Sequence, residues 1–437
     1  MRINRNLLTG LLVFLCLASG AAHAVPAFAR KTGIACSACH EVWPRLNEFG
    51  QSYRDRGYRL QKDRDAPVQQ SQFFWPMAMR TTVGYQWLRQ TLVPTDAGPT
   101  TTQTGTFGFS GLDVFVVGNL AEKVSFLVTL NPPLASAGFL LAPQDGNLES
   151  AFVGIHDIGG SSWANLRVGK HALDLPIDEH RTLTLTQGYN VYHFHPQNSA
   201  ATFEPGTNQV GVEWYGHSEL SRLRYSISMV NTNDALLSNN LLSSPAVWAH
   251  VQGTAWLEGD LLAAVKGGLF GGVSWHPTST LSLTPAGGAP APVVGTAGRL
   301  RTARRIGAEA HLVLFSTVQP LTASGVIFLG ADDRDLIQGA TRDATFTGGF
   351  AELTWTPTVR WTFIGRWERI RTTDAGADGP FGVGNLTAGT AAVRHTFEMT
   401  SRTEAAVHAE LSRVQVQDAN GNLPETTTGL LGLDVAF

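Results

Sequence analysis

From Met77 onward the chain alternates apolar and polar positions in segments of about ten residues, the length of a tilted membrane-spanning strand. Gly, Pro, Asn and Asp separate the segments. Val124, Phe126, Val128 and Leu130 share one parity, with Ser125 and Thr129 on the other. Leu223, Tyr225, Ile227 and Met229 alternate with Arg222, Arg224, Ser226 and Ser228. Ile306, Ala308, Ala310, Leu312 and Leu314 alternate with Arg305, Glu309 and His311, and Ala405, Val407, Ala409 and Leu411 with Glu404, His408 and Glu410. Period two predicts β-strands, and charge confined to one parity means that only that face meets water. A soluble sandwich or propeller with one wet face shares this alternation.

Three further features favour a barrel with lipid outside and water inside. Trp75, Tyr85, Trp87, Trp214, Tyr215, Trp355, Trp361 and Trp367 cluster at segment ends, as interfacial girdles do. Strand charges keep to one parity. The last segment ends Gly432, Leu433, Val435, Phe437, which resembles the insertion signal of bacterial outer-membrane barrels. Counting segments gives about fifteen, and even numbers are the rule, so about 16 antiparallel strands are expected. Gly/Pro/Ala-rich insertions at 236–244, 278–298 and 374–384 read as extracellular loops. Asp332, Asp333 and Asp335 read as a solvated acidic turn.

Composition agrees. Charged residues make up 15% of the chain, against roughly 25% in ordinary soluble domains. The net charge of −3 leaves no basic footprint for nucleic acid. After the first two dozen residues no apolar run reaches about 18 residues, the length of a spanning helix.

The N-terminal stretch reads differently. Arg2 and Arg5, an apolar run from Leu7 to Leu17, and Ala22-His23-Ala24 form a secretory signal, residues 1–24, with Val25 opening the mature chain. Cys16 leaves with it, so only Cys36 and Cys39 remain, three apart and followed by His40. A disulfide framework is thereby excluded. Cys-x-x-Cys-His attaches a c-type haem, because two nearby thiols each add to one vinyl group and the next His lies beneath the iron. A redox dithiol needs a surrounding βαβ unit, and a zinc site needs more ligands, yet no His follows until His156. Pro44 suits a first helical position, Leu46, Phe49 and Tyr53 follow at helical spacing, and Gly57 suits a C-cap. Those aromatics are expected in a core, against the porphyrin. Arg30, Lys31, Arg45, Arg54 and Arg56 form a solvated or lumen-facing basic face, with one or two for haem propionates.

The haem segment, residues 25–73, is too short to wrap a haem and bury a core of its own. Residues 74–437 must cover it. The fold expected is therefore an all-β transmembrane barrel whose lumen is plugged by a short α-helical c-type haem segment.

This order of parts resembles the fused monohaem cytochrome–porins of the bacterial outer membrane, known as iron oxidases. The resemblance rests on Pro26 to Gly33, Cys36 to His40, Pro44, Leu46, Phe49, Gly50 and Gly57; beyond them only architecture and length agree. It implies one covalent haem c on Cys36, Cys39 and His40. It also implies electron transfer from extracellular Fe(II) to a periplasmic cytochrome by a protein seated in outer-membrane lipid. The donor is not fixed by it. Outward electron transfer to an external acceptor and a diffusion porin with a haem-bearing plug stay open; no paired distal motif argues for a peroxidase.

The sixth iron ligand is open as well. Met77 or Met79, at the start of the first strand, stands slightly ahead of His171, His311, His408 and His180, although strand parity points both methionines outward, as it does Met229 and Met399. Arg80, Arg167, Arg305, Arg366 and Arg394, with Glu309, Glu352, Glu368, Glu404 and Glu410, are expected in the lumen. There they pair with one another or clamp the haem segment. Replacing Cys36 and Cys39 by Ala is expected to abolish any haem that survives denaturing electrophoresis. A haem-stained band persisting in the double variant would refute covalent attachment.

Overall fold

Strands that alternate in character can bury one face only against another layer or by closing on themselves, and this chain closes. The computed structural model describes residues 28, 34, 38–42, 45–60, 77–92, 98–131, 148–179, 182–195, 203–231, 245–257, 259, 261–276, 281–283, 291–293, 301–315, 320–337, 341–372, 383–399, 404–418 and 423–436. The signal sequence, Cys36, Pro44, Trp75, His180 and Phe437 lie outside these residues.

The N-terminal segment contributes β1 (His40–Val42), β2 (Arg45–Leu46) and helix α1 (Glu48–Asp55). The wall begins with β3 (Met77–Leu92), β4 (Thr100–Ala121), β5 (Val124–Leu130), β6 (Leu148–Ile155) and β7 (Asn165–His171). After helix α2 (Asn190–His193) come β8 (Gln209–His217), β9 (Leu223–Asn231), β10 (Pro245–Trp256) and β11 (Leu262–His276). A small hairpin, β12 (Leu281–Leu283) and β13 (Ala291–Val293), stands apart from the wall. The wall resumes with β14 (Arg301–Leu314), β15 (Leu321–Asp332), β16 (Ala344–Thr358), β17 (Trp361–Thr372), β18 (Val383–Met399), β19 (Glu404–Asp418) and β20 (Glu425–Ala436). The 16 wall strands form one closed barrel, every neighbour antiparallel. Closure is made by β20 on β3, in register from Glu425 opposite Thr91 to Ala436 opposite Arg80. Closure leaves no edge with unpaired backbone groups, the condition for crossing lipid with strands.

The predicted parity holds around the wall. Leu223, Ile227, Met229, Ile306, Leu312, Val407 and Leu411 face outward and are exposed. Ser226, Ser228, Arg305, Glu309, His311, Glu404, His408 and Glu410 face inward and are buried. Among the predicted girdle aromatics, Tyr85, Trp214, Trp355, Trp361 and Trp367 are exposed, but Tyr215 is buried on the inner face. The correction is one of parity: Tyr215 neighbours Trp214 on one strand, and adjacent residues point to opposite faces. Asp332 also departs from expectation, being buried and paired through both carboxylate oxygens with Arg305 rather than solvated.

The two ends differ. Connections such as those between β4 and β5 or β16 and β17 are tight turns, whereas the other end carries the long connections. The longest, between β7 and β8, does not project outward over its described residues, 172–179, 182–195 and 203–208. It enters the lumen as a strap, and Leu173, Leu175, Ile177, Tyr189, Val191, Tyr192, Phe194 and Phe203 pack on inward Trp248, Phe270, Phe328, Phe346 and Phe350. Here the wall is apolar on both faces: Ile327 is 64% exposed to the outside while Phe328 is fully buried inside. An arginine at position 327 is expected to cost about 2–4 kcal/mol of stability, as for cations placed on the lipid face near the bilayer midplane. Thr104→Arg, in the stretch 98–107 where both parities are exposed except at the strand ends beyond it, should cost almost nothing. Urea unfolding in lipid checks both; equal losses would overturn the assignment of faces.

Candidate functional site

Ala38, Cys39 and His40, the described end of the Cys-x-x-Cys-His motif, are placed by α1. Asn47 starts this helix by accepting from the Gly50 N–H at 2.9 Å, so the helix begins later than Pro44. The correction follows from capping strength, since Asn accepts that otherwise unsatisfied N–H. The C-terminal expectation is met: Gly57 has φ +68°, its N–H donates to Arg54 O and that of Tyr58 to Tyr53 O. This is the Schellman arrangement, and it brings the Tyr53 and Tyr58 rings within 6.1 Å.

The same Asn47 grips Ala38 and Cys39. Its backbone N–H donates to Cys39 O at 3.0 Å and its amide to Ala38 O at 2.9 Å. Gly50 permits the approach, because a Cβ there would lie 2.0 Å from Cys39 O. His40 opens β1, in register with Leu46. Cys39 is half-buried, and burial pushes its free thiol up to about 11. Tyr53 packs with Phe28, Tyr58 and Val117, whereas Leu46 is half-buried and Phe49 exposed.

Anchors run from this segment to the wall. Arg45 Nη2 pairs with Glu352 at 2.5 Å and its Nη1 donates to Thr354 at 2.9 Å. Trp256 donates to Glu48 at 3.0 Å, and Ser221 donates to the buried Asp55 at 2.8 Å. Arg56 donates to Glu219 O, and Arg59 pairs with Asp157 at 2.7 Å. Gly57 lies against His156, where a Cβ would come 2.2 Å from the ring, and Asn119 donates to its carbonyl at 2.7 Å. His156 itself sits within hydrogen-bonding distance of Ser125 and Tyr215. Burial, then the charges of Arg59 and Arg167, hold it down to about 3, so it packs as a neutral ring. Since Asp157, Glu219 and the residue after β6, His156, belong to turns, α1 docks toward the short-turn end.

The strap meets the same wall carboxylate. Tyr189 hydroxyl donates to Glu352 Oε2 at 2.8 Å, and Arg366 lies 3.7 Å from that oxygen. Farther along, the N–H groups of Leu185 and Thr186 donate to Glu410, and Arg366 donates to Gly188 O. On the opposite wall Trp248 donates to Asp174 O, and Asp174 contacts Arg224 and His250. The strap thus crosses the lumen. Plug and strap enclose between them a polar cavity of about 130 Å³, lined on the plug side by Glu41, Asn47, Gln51 and Arg54.

The predicted lumen charges are where parity put them, and most are paired within the wall. Arg167 meets Glu213 at 2.5 Å, Arg366 meets Glu368 at 3.0 Å, and Arg394 meets Glu404 and Asp434 at 2.7 and 3.0 Å. Among the described residues, Glu352 is the predicted lumen charge seen paired with the N-terminal segment, through Arg45. Met77 and Met79 pair in register with Val116 and Val114, on the face of the exposed Val83 and Tyr85. Among the imidazoles, both nitrogens of His311 are partnered by Ser324 and Glu309, and His408 contacts Glu410. His171 is fully buried, with Nδ1 near Gly169 O and Nε2 without a hydrogen-bond partner. The strap itself was missed by the sequence reading. Its signal was the gap of 37 residues, 172–208, between two alternating segments, dense in Leu, Ile, Tyr, Val and Phe.

No family model matches the chain, and no curated protein matches it. Solved structures do. OprB of Pseudomonas putida at high pH is 9% identical and aligns over 83% of this chain and 94% of its own, with a TM-score of 0.51. A loop L8 deletion mutant of OmpT, an outer membrane protein of Vibrio cholerae, is 10% identical over 83% and 99%, with a TM-score of 0.48. Salmonella typhi OmpF in complex with daunomycin is 9% identical over 83% and 97%, with a TM-score of 0.45. The likeness to OprB shows the fold, a closed 16-strand barrel of the outer-membrane porin kind. With its apolar exterior and polar interior, this barrel is an outer-membrane architecture.

Glu352→Ala removes the shared partner of plug, strap and wall. Stripping one partner from a buried ion pair costs about 3–5 kcal/mol, and trypsin should then cut at Arg45, Arg54 or Arg59, which the wild type protects. An unchanged urea midpoint with an uncut plug would show that Glu352 is not the anchor.

Proposed function

We propose that this chain carries one covalent c-type haem on Cys36, Cys39 and His40 and moves electrons across the outer membrane, from extracellular Fe(II) to a periplasmic cytochrome. The observation that carries the reading is the docking of Ala38, Cys39 and His40, the described end of the motif, inside a barrel, through Asn47, Gly50 and the anchors of α1. A diffusion channel has no need of such a segment.

The residues present fit the group. Burial pushes the Cys39 thiol up to about 11, away from the depressed pKa on which a redox dithiol depends. Leu46 and Phe49 flank Gly50 and keep apolar surface available to a flat macrocycle. Such a haem supplies one-electron iron chemistry without any protein acid or base. The chain's own part is to hold His40 and its neighbours rigid through Asn47, and to keep them toward the short-turn end. Short turns face the periplasm in outer-membrane barrels, which suits delivery to a periplasmic carrier.

Met77 and Met79 remain proposals for the sixth ligand, and so does His171, whose buried Nε2 has no hydrogen-bond partner among the described residues. Methionine ligation raises the potential and suits an Fe(II) donor; imidazole lowers it and suits outward transfer. A second reading, a diffusion porin with a haem-bearing plug, draws support from the charged lumen and the strap, which could act as a constriction.

Anaerobic addition of Fe(II) to purified protein is expected to produce the reduced haem spectrum. The far-red band of a methionine-ligated ferric haem reports the axial ligand. Haem that stays oxidised at every pH where Fe(II) is soluble would sink the iron reading, and large stable single-channel conductance would favour the porin.

A further inference from the structure

Where the strap turns back on itself, four ligand-type side chains meet. His193, the last residue of α2, has Nε2 3.5 Å from Glu179 Oε1 and Nδ1 3.4 Å from Glu204 Oε2. His195 Nε2 lies 2.8 Å from Glu204 Oε1. The arrangement is supported from behind. The Tyr189 N–H donates to Glu179 at 3.0 Å, and Gly206 admits the His193 ring, since a Cβ there would stand 2.5 Å from Nε2. Unlike the buried lumen pairs such as Arg305–Asp332 and Arg366–Glu368, the cluster is open to water: the His193 side chain is 37% exposed, and those of His195 and Glu204 are each 25% exposed.

We propose that His193, His195 and Glu204 bind a divalent first-row metal ion, the Fe(II) donor of the reading above, with Glu179 as a neighbouring carboxylate. Two imidazoles and a carboxylate suit Fe(II), Mn(II), Co(II) or Zn(II) over the hard alkaline-earth ions. The side chains stand in ion pairs, and among the described residues no three such groups already surround one point. Binding therefore swings an imidazole toward Glu204, and the metal replaces any proton carried there, which passes to water.

The position gives such a site a purpose. His193 is one helical turn from Tyr189, whose hydroxyl donates to Glu352. Glu352 in turn holds Arg45, five residues beyond His40. A metal seated at the cluster is thus connected to the haem segment by a short run of backbone, one hydrogen bond and one ion pair. The alternative, a polar cluster that only braces the strap, predicts no metal affinity.

The inference rests on the Fe(II) reading, but its test does not need electron transfer. Full-length haem-bearing protein in detergent is titrated anaerobically with Mn(II), and free metal is counted by its six-line EPR signal. One Mn(II) per chain is expected. Glu204→Gln and His195→Asn should each weaken binding by at least about 100-fold, since loss of outer-shell groups alone costs 10–100-fold. Heat-modifiable migration confirms that each variant is a folded barrel. Glu425→Gln, at an exposed pair with Arg413 on the barrel wall, should bind as the wild type does. No binding, or equal binding in all four proteins, overturns the proposal. Mn(II) bound at the cluster in a protein whose haem Fe(II) fails to reduce would leave the site standing and remove the oxidase reading.

Discussion

One buried carboxylate ties together the three parts that meet inside this barrel. Glu352 on β16 accepts from the Tyr189 hydroxyl of the strap, pairs with Arg45 of the N-terminal segment and lies beside Arg366 of the wall. An ion taken out of water carries a penalty of several kcal/mol unless other charges and donors compensate it. Glu352 therefore needs plug, strap and wall together, and each of the three is held in place by that need.

The barrel is consequently two structures in one. Outside it is a plain lipid-facing surface of Ile306, Ile327, Leu411 and their neighbours. Inside, one side is a lattice of ion pairs, and another is a hydrophobic core made where the strap's Tyr189, Tyr192 and Phe203 meet Trp248, Phe328 and Phe350. That core explains why the lumen is not simply a wet channel. A separate small cluster, Phe28, Tyr53 and Tyr58 on Val117 of β4, gives the N-terminal segment its place. On the proposed reading, such filling suits a protein that passes electrons, which need rigid and close-set groups, better than one that passes solutes.

Much of this was legible in advance. Period-two alternation with charge on one parity gave the wall, its strand number and the inward direction of Arg305, Glu309, Arg366 and Glu410, because a strand's geometry ties parity to face without reference to the rest of the chain. Gly57 as a C-cap was legible for the same local reason. Errors arose where a residue's partner was distant. Tyr215 is the exception, since parity with its neighbour Trp214 already places it on the inner face, where it meets His156. Asp332 looked solvated until Arg305 was found opposite it. Pro44 looked like a helix start because the competing cap, Asn47, also had to hold Ala38 and Cys39.

The sequence alone pointed to a closed barrel, which the wall strands from Met77 to Ala436 form, and to a Cys-x-x-Cys-His motif ahead of it. Both follow from short-range rules: side-chain parity along a strand, and two thiols beside an imidazole. Only the tertiary structure decided what fills the lumen. Residues 172–208 carry apolar side chains without a strand's period, and nothing local says whether such a stretch leaves the barrel or enters it. The decision lies in pairings across 163 positions, such as Tyr189 with Glu352. Contacts of that range exist only once the wall has closed and brought its inner faces together.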